Sequence, residues 1–172
     1  MPRNVEIKAS VKDFEKFLSL AKELSGSEGT LLEQEDTFFN VPEGRLKLRF
    51  LKGRTSQLIF YQRPDSDGPK VSDFHCSDVS DQVKETLRLA LGIKGSVAKK
   101  RWLFMVGQTR IHADVVDGLG SFMELEVMLR PEQTLEEGDK IAKDLMDKLQ
   151  IDQSQLLSGA YMDMLLKKGL SA

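Results

Sequence analysis

Residues 43 to 50 read EGRLKLRF, and in an extended strand Arg45, Lys47 and Arg49 fall on one face while Leu46, Leu48 and Phe50 fall on the other. Taken alone, such a strand is compatible with cations that simply face water. The same sorting recurs along the chain, and the recurrence limits the fold. In NVEIKASV, Glu6 and Lys8 oppose Val5, Ile7, Ala9 and Val11, and in VAKKRWLF, Lys99 and Arg101 oppose Ala98, Trp102 and Phe104, with Lys100 as the exception. RIHADVV groups Arg110, His112 and Asp114 against Ile111, Ala113 and Val115, and FMELEVML groups Glu124 and Glu126 against Met123, Leu125, Val127 and Leu129.

Strand patterns fall near residues 4–11, 30–39, 44–51, 56–63, 70–76, 97–106, 109–116 and 120–129. Helical spacing links Phe14, Phe17, Leu18, Ala21 and Leu24, with a stop at Ser25-Gly26, and further helices are expected near 79–91, 133–149 and 153–167. Charged faces outside a barrel would be solvated around an apolar interior. In the opposite arrangement the charged faces line the interior, and the apolar faces lie outward beneath the helices. The helices favour this second version, because each has an apolar stripe that needs an apolar surface to cover it. The expectation is an α+β fold, an eight-stranded antiparallel β-barrel or tunnel with about four flanking helices, wide enough to enclose one small ligand.

A chain of 172 residues suits one domain, 1–172. Its 25 basic and 27 acidic residues leave a net charge of -2, so no general nucleic-acid binding is expected. A lone cysteine, Cys76, rules out an internal disulfide framework. No leader-like segment opens the sequence and no apolar run approaches about 18 residues, which points to a cytoplasmic protein without a membrane partner, either monomer or homodimer. RPDSDGPK at 63–70 reads as a loop.

The expected interior holds seven cations (Lys8, Arg45, Lys47, Arg49, Arg63, Lys99, Arg101) and four carboxylates (Glu6, Asp114, Glu124, Glu126). Buried charges need partners, and like charges on neighbouring strands repel. A polyanion carrying a divalent cation satisfies both sets, with phosphate oxygens on the Arg and Lys side and magnesium or manganese on the carboxylates.

With NVEIK at 4–8, DTFFN at 36–40, RLKLR at 45–49, KKR at 99–101, DVVDGLGSFMELE at 114–126 and SGAYMDMLL at 158–166, the chain resembles the CYTH superfamily, the triphosphate tunnel metalloenzymes. The resemblance covers almost the whole sequence. It implies a tunnel that binds a small-molecule triphosphate with Mg2+ or Mn2+. By position it implies Glu6, Glu124 and Glu126 as metal ligands with Asp114 as a fourth, and Lys8, Arg45, Lys47, Arg49, Lys99 and Arg101 as phosphate contacts. Lys8, Glu6 and Glu126 are the implied catalytic residues. Either Gln62 or Arg63 takes the substrate-binding place at the end of its strand. Asn4 stands where the family's Glu-x-Glu-x-Lys signature has its first glutamate, and an amide oxygen can ligate a cation but brings no negative charge. The family includes triphosphatases and class IV adenylyl cyclases, so hydrolysis is the first expectation, cyclisation of ATP the second, and non-catalytic polyphosphate or nucleotide binding a third.

The remaining polar residues have plainer readings. His112 is expected as a hydrogen-bonded wall residue, Tyr161 and Asp163 as packing of the last helix on the barrel, with a substrate contact open to Tyr161, and Trp102 as core. Glu136 and Glu137 suit a helix start. No Gly-x-x-x-x-Gly-Lys-Ser/Thr loop is present to bind phosphate.

Overall fold

A computed structural model describes residues 3–62 and 70–168. Its eight strands are β1 (Arg3–Ser10), β2 (Thr30–Phe39), β3 (Arg45–Leu51), β4 (Ser56–Gln62), β5 (Lys70–Val79), β6 (Ile93–Val106), β7 (Thr109–Val116) and β8 (Gly120–Met128). They close into one barrel in the order β1-β5-β4-β3-β2-β6-β7-β8, every neighbouring pair antiparallel. The helices are α1 (Phe14–Ser25), α2 (Val83–Leu91), α3 (Leu135–Lys148) and α4 (Tyr161–Lys167). This is the tunnel architecture expected from the alternation, with the apolar faces outward.

Those outward faces form the main core. Val5, Ile7 and Ala9 of β1, Phe104 of β6, Ile111 and Ala113 of β7, and Met123, Leu125 and Val127 of β8 pack beneath Phe17 and Ala21 of α1 and beneath Ala142, Leu145, Met146 and Leu149 of α3. Asp13 caps α1 by accepting a hydrogen bond from the Lys16 N–H at 3.1 Å, and Gly26 ends it at φ 65°. Thr134 caps α3 by accepting from the Glu137 N–H at 3.2 Å. At Gly138 a Cβ would lie 2.7 Å from Leu129 and 2.8 Å from Val5, so glycine lets α3 settle directly on the sheet.

The element boundaries depart from expectation in three places. β6 starts at Ile93, because Gly95 and Ile93 continue the pairing with Phe38 and Phe39 across a bulge. The second helix starts at Val83 rather than 79, where β5 still pairs Val79 with Ser56. It buries no residue, and Leu89 and Leu91 stay exposed, so its stripe lacks the cover found over α1 and α3.

The expected helix over 153–167 is broken, and the break matters most. A short 3-10 turn spans Gln153–Gln155, and an extended stretch follows in which Leu156 bridges to Ala9 and the Leu157 N–H donates to the Lys8 carbonyl at 2.9 Å. Gly159, at φ 79°, then turns the chain into α4. The extended stretch is thereby tied to the rim of β1, and Tyr161 enters the barrel. A second apolar cluster forms there from Phe38, Val97, Val116, Phe122, Tyr161, Met162 and Leu165.

Candidate functional site

Inside the barrel lies a cavity of about 350 Å³, lined by charged residues from β1, β2, β3, β6, β7 and β8. Strand parity puts them there. Among the described residues the lining includes six cations, Lys8, Lys47, Arg49, Lys99, Arg101 and Arg110, and four carboxylates, Glu6, Asp36, Glu124 and Glu126. The barrel order sets β3 four strands away from β8. Lys47 and Arg49 therefore stand on the wall opposite Glu124 and Glu126.

The cationic wall is organised by Asp36. Arg49 donates to its two carboxylate oxygens through Nε and a terminal nitrogen, both at 2.9 Å, and Lys47 and Lys99 lie at 3.3 and 3.7 Å. Burial alone would raise this carboxyl, but Arg49, Lys47 and Lys99 hold it well below the usual carboxylate range. Lys99 carries the cost of sharing one anion. Burial and the neighbouring Arg101 guanidinium pull its ammonium down to about 7, and Asp36 only partly offsets them.

A second arginine is fixed in the same way. Arg101 donates to Asp114 at 2.8 and 2.7 Å and reaches Glu124 at 3.3 Å, while the Tyr161 hydroxyl donates to Asp114 at 2.8 Å. Burial opposes the Arg101 charge, and Asp114 and Glu124 overcome it. Lys8 donates to the Gly159 carbonyl at 3.0 Å, lies 3.5 Å from Glu124 and sits 4.0 Å from the Tyr161 ring centroid.

On the carboxylate wall, Asn4 donates through Nδ2 to Glu126 at 3.2 Å. His112 Nδ1 lies 3.3 Å from Glu126 without the alignment of a hydrogen bond. Burial and Arg101 pull this imidazole down to about 3, so it is neutral across the physiological range. Burial would raise Glu124, but Lys8, Arg101 and Lys99 hold it well below the usual carboxylate range. Atoms of His112, Glu124 and Glu126 all lie within 4.8 Å of one another, close enough to hold one metal ion.

The structure brings together most of the residues expected at the site. Glu6, Lys8, Lys47, Arg49, Lys99, Arg101, Glu124 and Glu126 all line the cavity. Asp114 does not line it, being enclosed by Arg101 and Tyr161. Arg45 pairs with Asp163 of α4 at 2.6 Å and is not among the residues that line the cavity. Gln62 is exposed, and Arg63 lies outside the described residues. His112 Nδ1 makes no hydrogen bond among the described residues. Sequence reasoning missed Asp36 and Arg110, although Arg110 shares the parity of His112. It also missed the less polar part of the lining, which includes Ile59, Tyr61 and Phe74 of β4 and β5 with Phe38 and Met128.

A family model described as the CYTH domain matches residues 2–161. The chain belongs to the CYTH family. It is similar to the adenylate cyclase CyaB of Aeromonas hydrophila, 27% identical over 134 residues that cover 75% of this chain and 70% of the relative. Among solved structures, the PH1012 protein from Pyrococcus horikoshii superposes with a TM-score of 0.80 at 23% identity, over 93% of this chain and 98% of that one. A Hippeastrum protein, a candidate adenylyl cyclase with a dominant triphosphatase activity, superposes with a TM-score of 0.69 at 14% identity, over 98% of this chain and 96% of that one. At these identities the structural likeness speaks for the fold alone. No helix among the described residues is long and apolar enough to cross a membrane.

The state of Lys99 gives a first prediction. Its folded pKa lies below the unfolded value of 10.5, so the penalty for its charge is fully present below pH 7 and is lifted as pH rises from 7 toward 10.5. Lys99→Met is therefore expected to raise the thermal midpoint at pH 7 by several degrees, at about 2 to 4 °C per kcal/mol. Thermal melts at pH 7 and pH 9 should show that gain shrinking at the higher pH.

Proposed function

We propose that this CYTH protein is a divalent-metal-dependent triphosphatase that holds its substrate inside the barrel. The observation that carries the reading is the division of the cavity. Cations held by Asp36 and Asp114 face a carboxylate wall of Glu124 and Glu126, with Glu6 beside it on β1. A polyphosphate chain with a bound cation has the charge distribution that complements both walls.

Lys8, Lys47, Arg49, Lys99 and Arg101 take the phosphate oxygens. Each bidentate arginine uses Nε and one terminal nitrogen on its aspartate, which leaves further N–H donors for phosphate. The guanidinium planes are therefore oriented before substrate enters, so charge on the transferring phosphoryl group is met without reorganisation. The donor set fits a divalent cation: Glu6, Glu124 and Glu126 offer hard oxygens, and buried Asn4 Oδ1 and His112 Nδ1 have no hydrogen-bond partner among the described residues. A metal bound there would neutralise phosphate charge and polarise the attacked phosphorus. Glu6 and Glu126 orient the attacking water, and Lys8, tied to Gly159 and Glu124, stabilises the charge on the diphosphate that leaves as the bridging P–O bond breaks. Asp114 serves by fixing Arg101, and Arg45 by fixing α4 through Asp163.

A second reading is class IV adenylyl cyclase. It draws on Tyr61 and Phe74 in the cavity wall, which offer a stacking surface for a base, and on the similarity to the Aeromonas cyclase. The two reactions differ in which phosphorus meets the nucleophile: the terminal one with water, or the α one with the ribose 3′-hydroxyl. Incubation with tripolyphosphate, thiamine triphosphate and ATP, each with Mg2+ or Mn2+, and resolution of the products separates them. Orthophosphate release is the expected result. Cyclic AMP with pyrophosphate from ATP would favour the cyclase, and tight binding of all three without turnover would leave a binding protein.

A further inference from the structure

Two polar atoms on the carboxylate wall are buried and unpartnered among the described residues: Asn4 Oδ1, on a residue 1% exposed, and His112 Nδ1, on a residue 4% exposed. Leaving such atoms unpaired costs about 1 to 3 kcal/mol each. They flank the same group. Asn4 donates its Nδ2 to Glu126, which fixes the amide orientation, since the reversed amide would set an oxygen against a carboxylate. His112 pairs across strands with Glu124 and lies 3.3 Å from Glu126. Two ligands each about 2.1 Å from a shared ion, at angles between octahedral and tetrahedral, sit roughly 3.0 to 3.4 Å apart. The His112 and Glu126 atoms have that separation and lack the alignment of a hydrogen bond.

We propose that His112, with Asn4 beside it, completes the metal-side ligand set as a nitrogen donor and gives the tunnel a preference for first-row transition ions such as Mn2+ over Mg2+. The inference rests on the proposed metal-dependent function. Its chemistry is that of the donors. Mg2+ favours all-oxygen ligands, strong negative charge and retained water, whereas an imidazole nitrogen strengthens binding of transition ions. Asn4 works in the same direction. A neutral amide stands where a carboxylate would raise the site's attraction for a hard cation, so the charge is lower and the nitrogen counts for more.

The test uses the full chain with a non-hydrolysable imido analogue of tripolyphosphate and measures metal binding rather than turnover, against the analogue alone as control. Free Mn2+ is followed by its electron paramagnetic resonance signal, with Mg2+ as competitor, and bound Mn2+ is probed for magnetic coupling to nitrogen-14. The wild type is expected to bind Mn2+ at least about tenfold tighter than Mg2+ and to show imidazole nitrogen coupling. His112→Gln should lose the coupling and about tenfold in Mn2+ affinity, with little change for Mg2+. Asn4→Glu should tighten Mg2+ and narrow the ratio, an effect opposite in direction to any loss through misfolding. Bound Mn2+ without nitrogen coupling in the wild type, or an unchanged ratio in both variants, overturns the inference while leaving the triphosphatase reading intact. Absence of Mn2+ and Mg2+ binding beyond that of the analogue alone overturns both.

Discussion

Replacing Glu126 with glutamine is expected to lower metal-dependent turnover by about a hundred- to a thousandfold, the usual loss when one fixed charge-stabilising group is removed from an active site. The substitution keeps the size of the side chain. It also keeps a hydrogen bond to Asn4, because the glutamine carbonyl oxygen can accept from Asn4 Nδ2 as the carboxylate does at 3.2 Å. What it removes is one negative charge from the wall shared with Glu124 and His112. Binding of tripolyphosphate without metal should therefore hold or tighten, since an anion near the phosphate is gone. Calorimetric titration in the presence of a chelator, set beside phosphate release with Mg2+ or Mn2+, measures the two effects separately. Full metal-dependent turnover in this variant would remove Glu126 from the carboxylate wall's chemistry. Loss of metal-free binding would instead mark a general disruption of the tunnel.

The strands that carry this chemistry were legible where their outer faces are covered. α1 and α3 lie over β1, β6, β7 and β8, so each of those strands must present apolar residues outward, and the inward charges stand out by contrast. β4 and β5 carry no such requirement. In SQLIFYQ both faces are largely apolar, with Leu58 and Phe60 on one and Ile59 and Tyr61 on the other, and period two gives no direction. The less polar part of the cavity thus stayed hidden in the sequence. Asp36 was obscured differently, since Glu33 and Glu35 put charge on the other face of β2 and only the register with Arg49 on β3 distinguishes it.

Asp114 shows how parity places a residue without assigning its work. Its face was correctly inward, yet its carboxylate is 0% exposed and taken up by Arg101 and Tyr161. The Tyr161 contact depends on the broken helix after Gly159, and helical spacing over 153–167 conceals that break. The last segment is not only packing. It brings a hydroxyl to Asp114, a ring beneath Lys8 and a carbonyl to the Lys8 ammonium, and so joins the carboxyl end of the chain to the site.

The same arrangement sets opposite signs for two cations that neighbour each other on one face of β6. Arg101→Met is expected to destabilise the protein by about 3 to 5 kcal/mol, because it leaves Asp114 as a buried charge with the Tyr161 hydroxyl as its remaining side-chain donor among the described residues. For a chain of this size that corresponds to a fall in the thermal midpoint of roughly 10 °C. Lys99→Met should stabilise instead, since Asp36 keeps Arg49 and Lys47 when Lys99 is gone. The difference lies in whether the anion has another cation, and burial does not distinguish the two residues, at 3% and 6% exposed. Adding Asp114→Leu to Arg101→Met should return much of the lost stability, because removing both members of a buried pair spares the uncompensated charge. Activity should stay low in the double variant, since the guanidinium proposed to bind phosphate is still missing. Thermal melts of the two single variants and the double, compared as a cycle, measure the coupling. Equal losses in Arg101→Met and in the double variant would show that Asp114 needs no cation, and the account of Arg101 as its dedicated partner would fail.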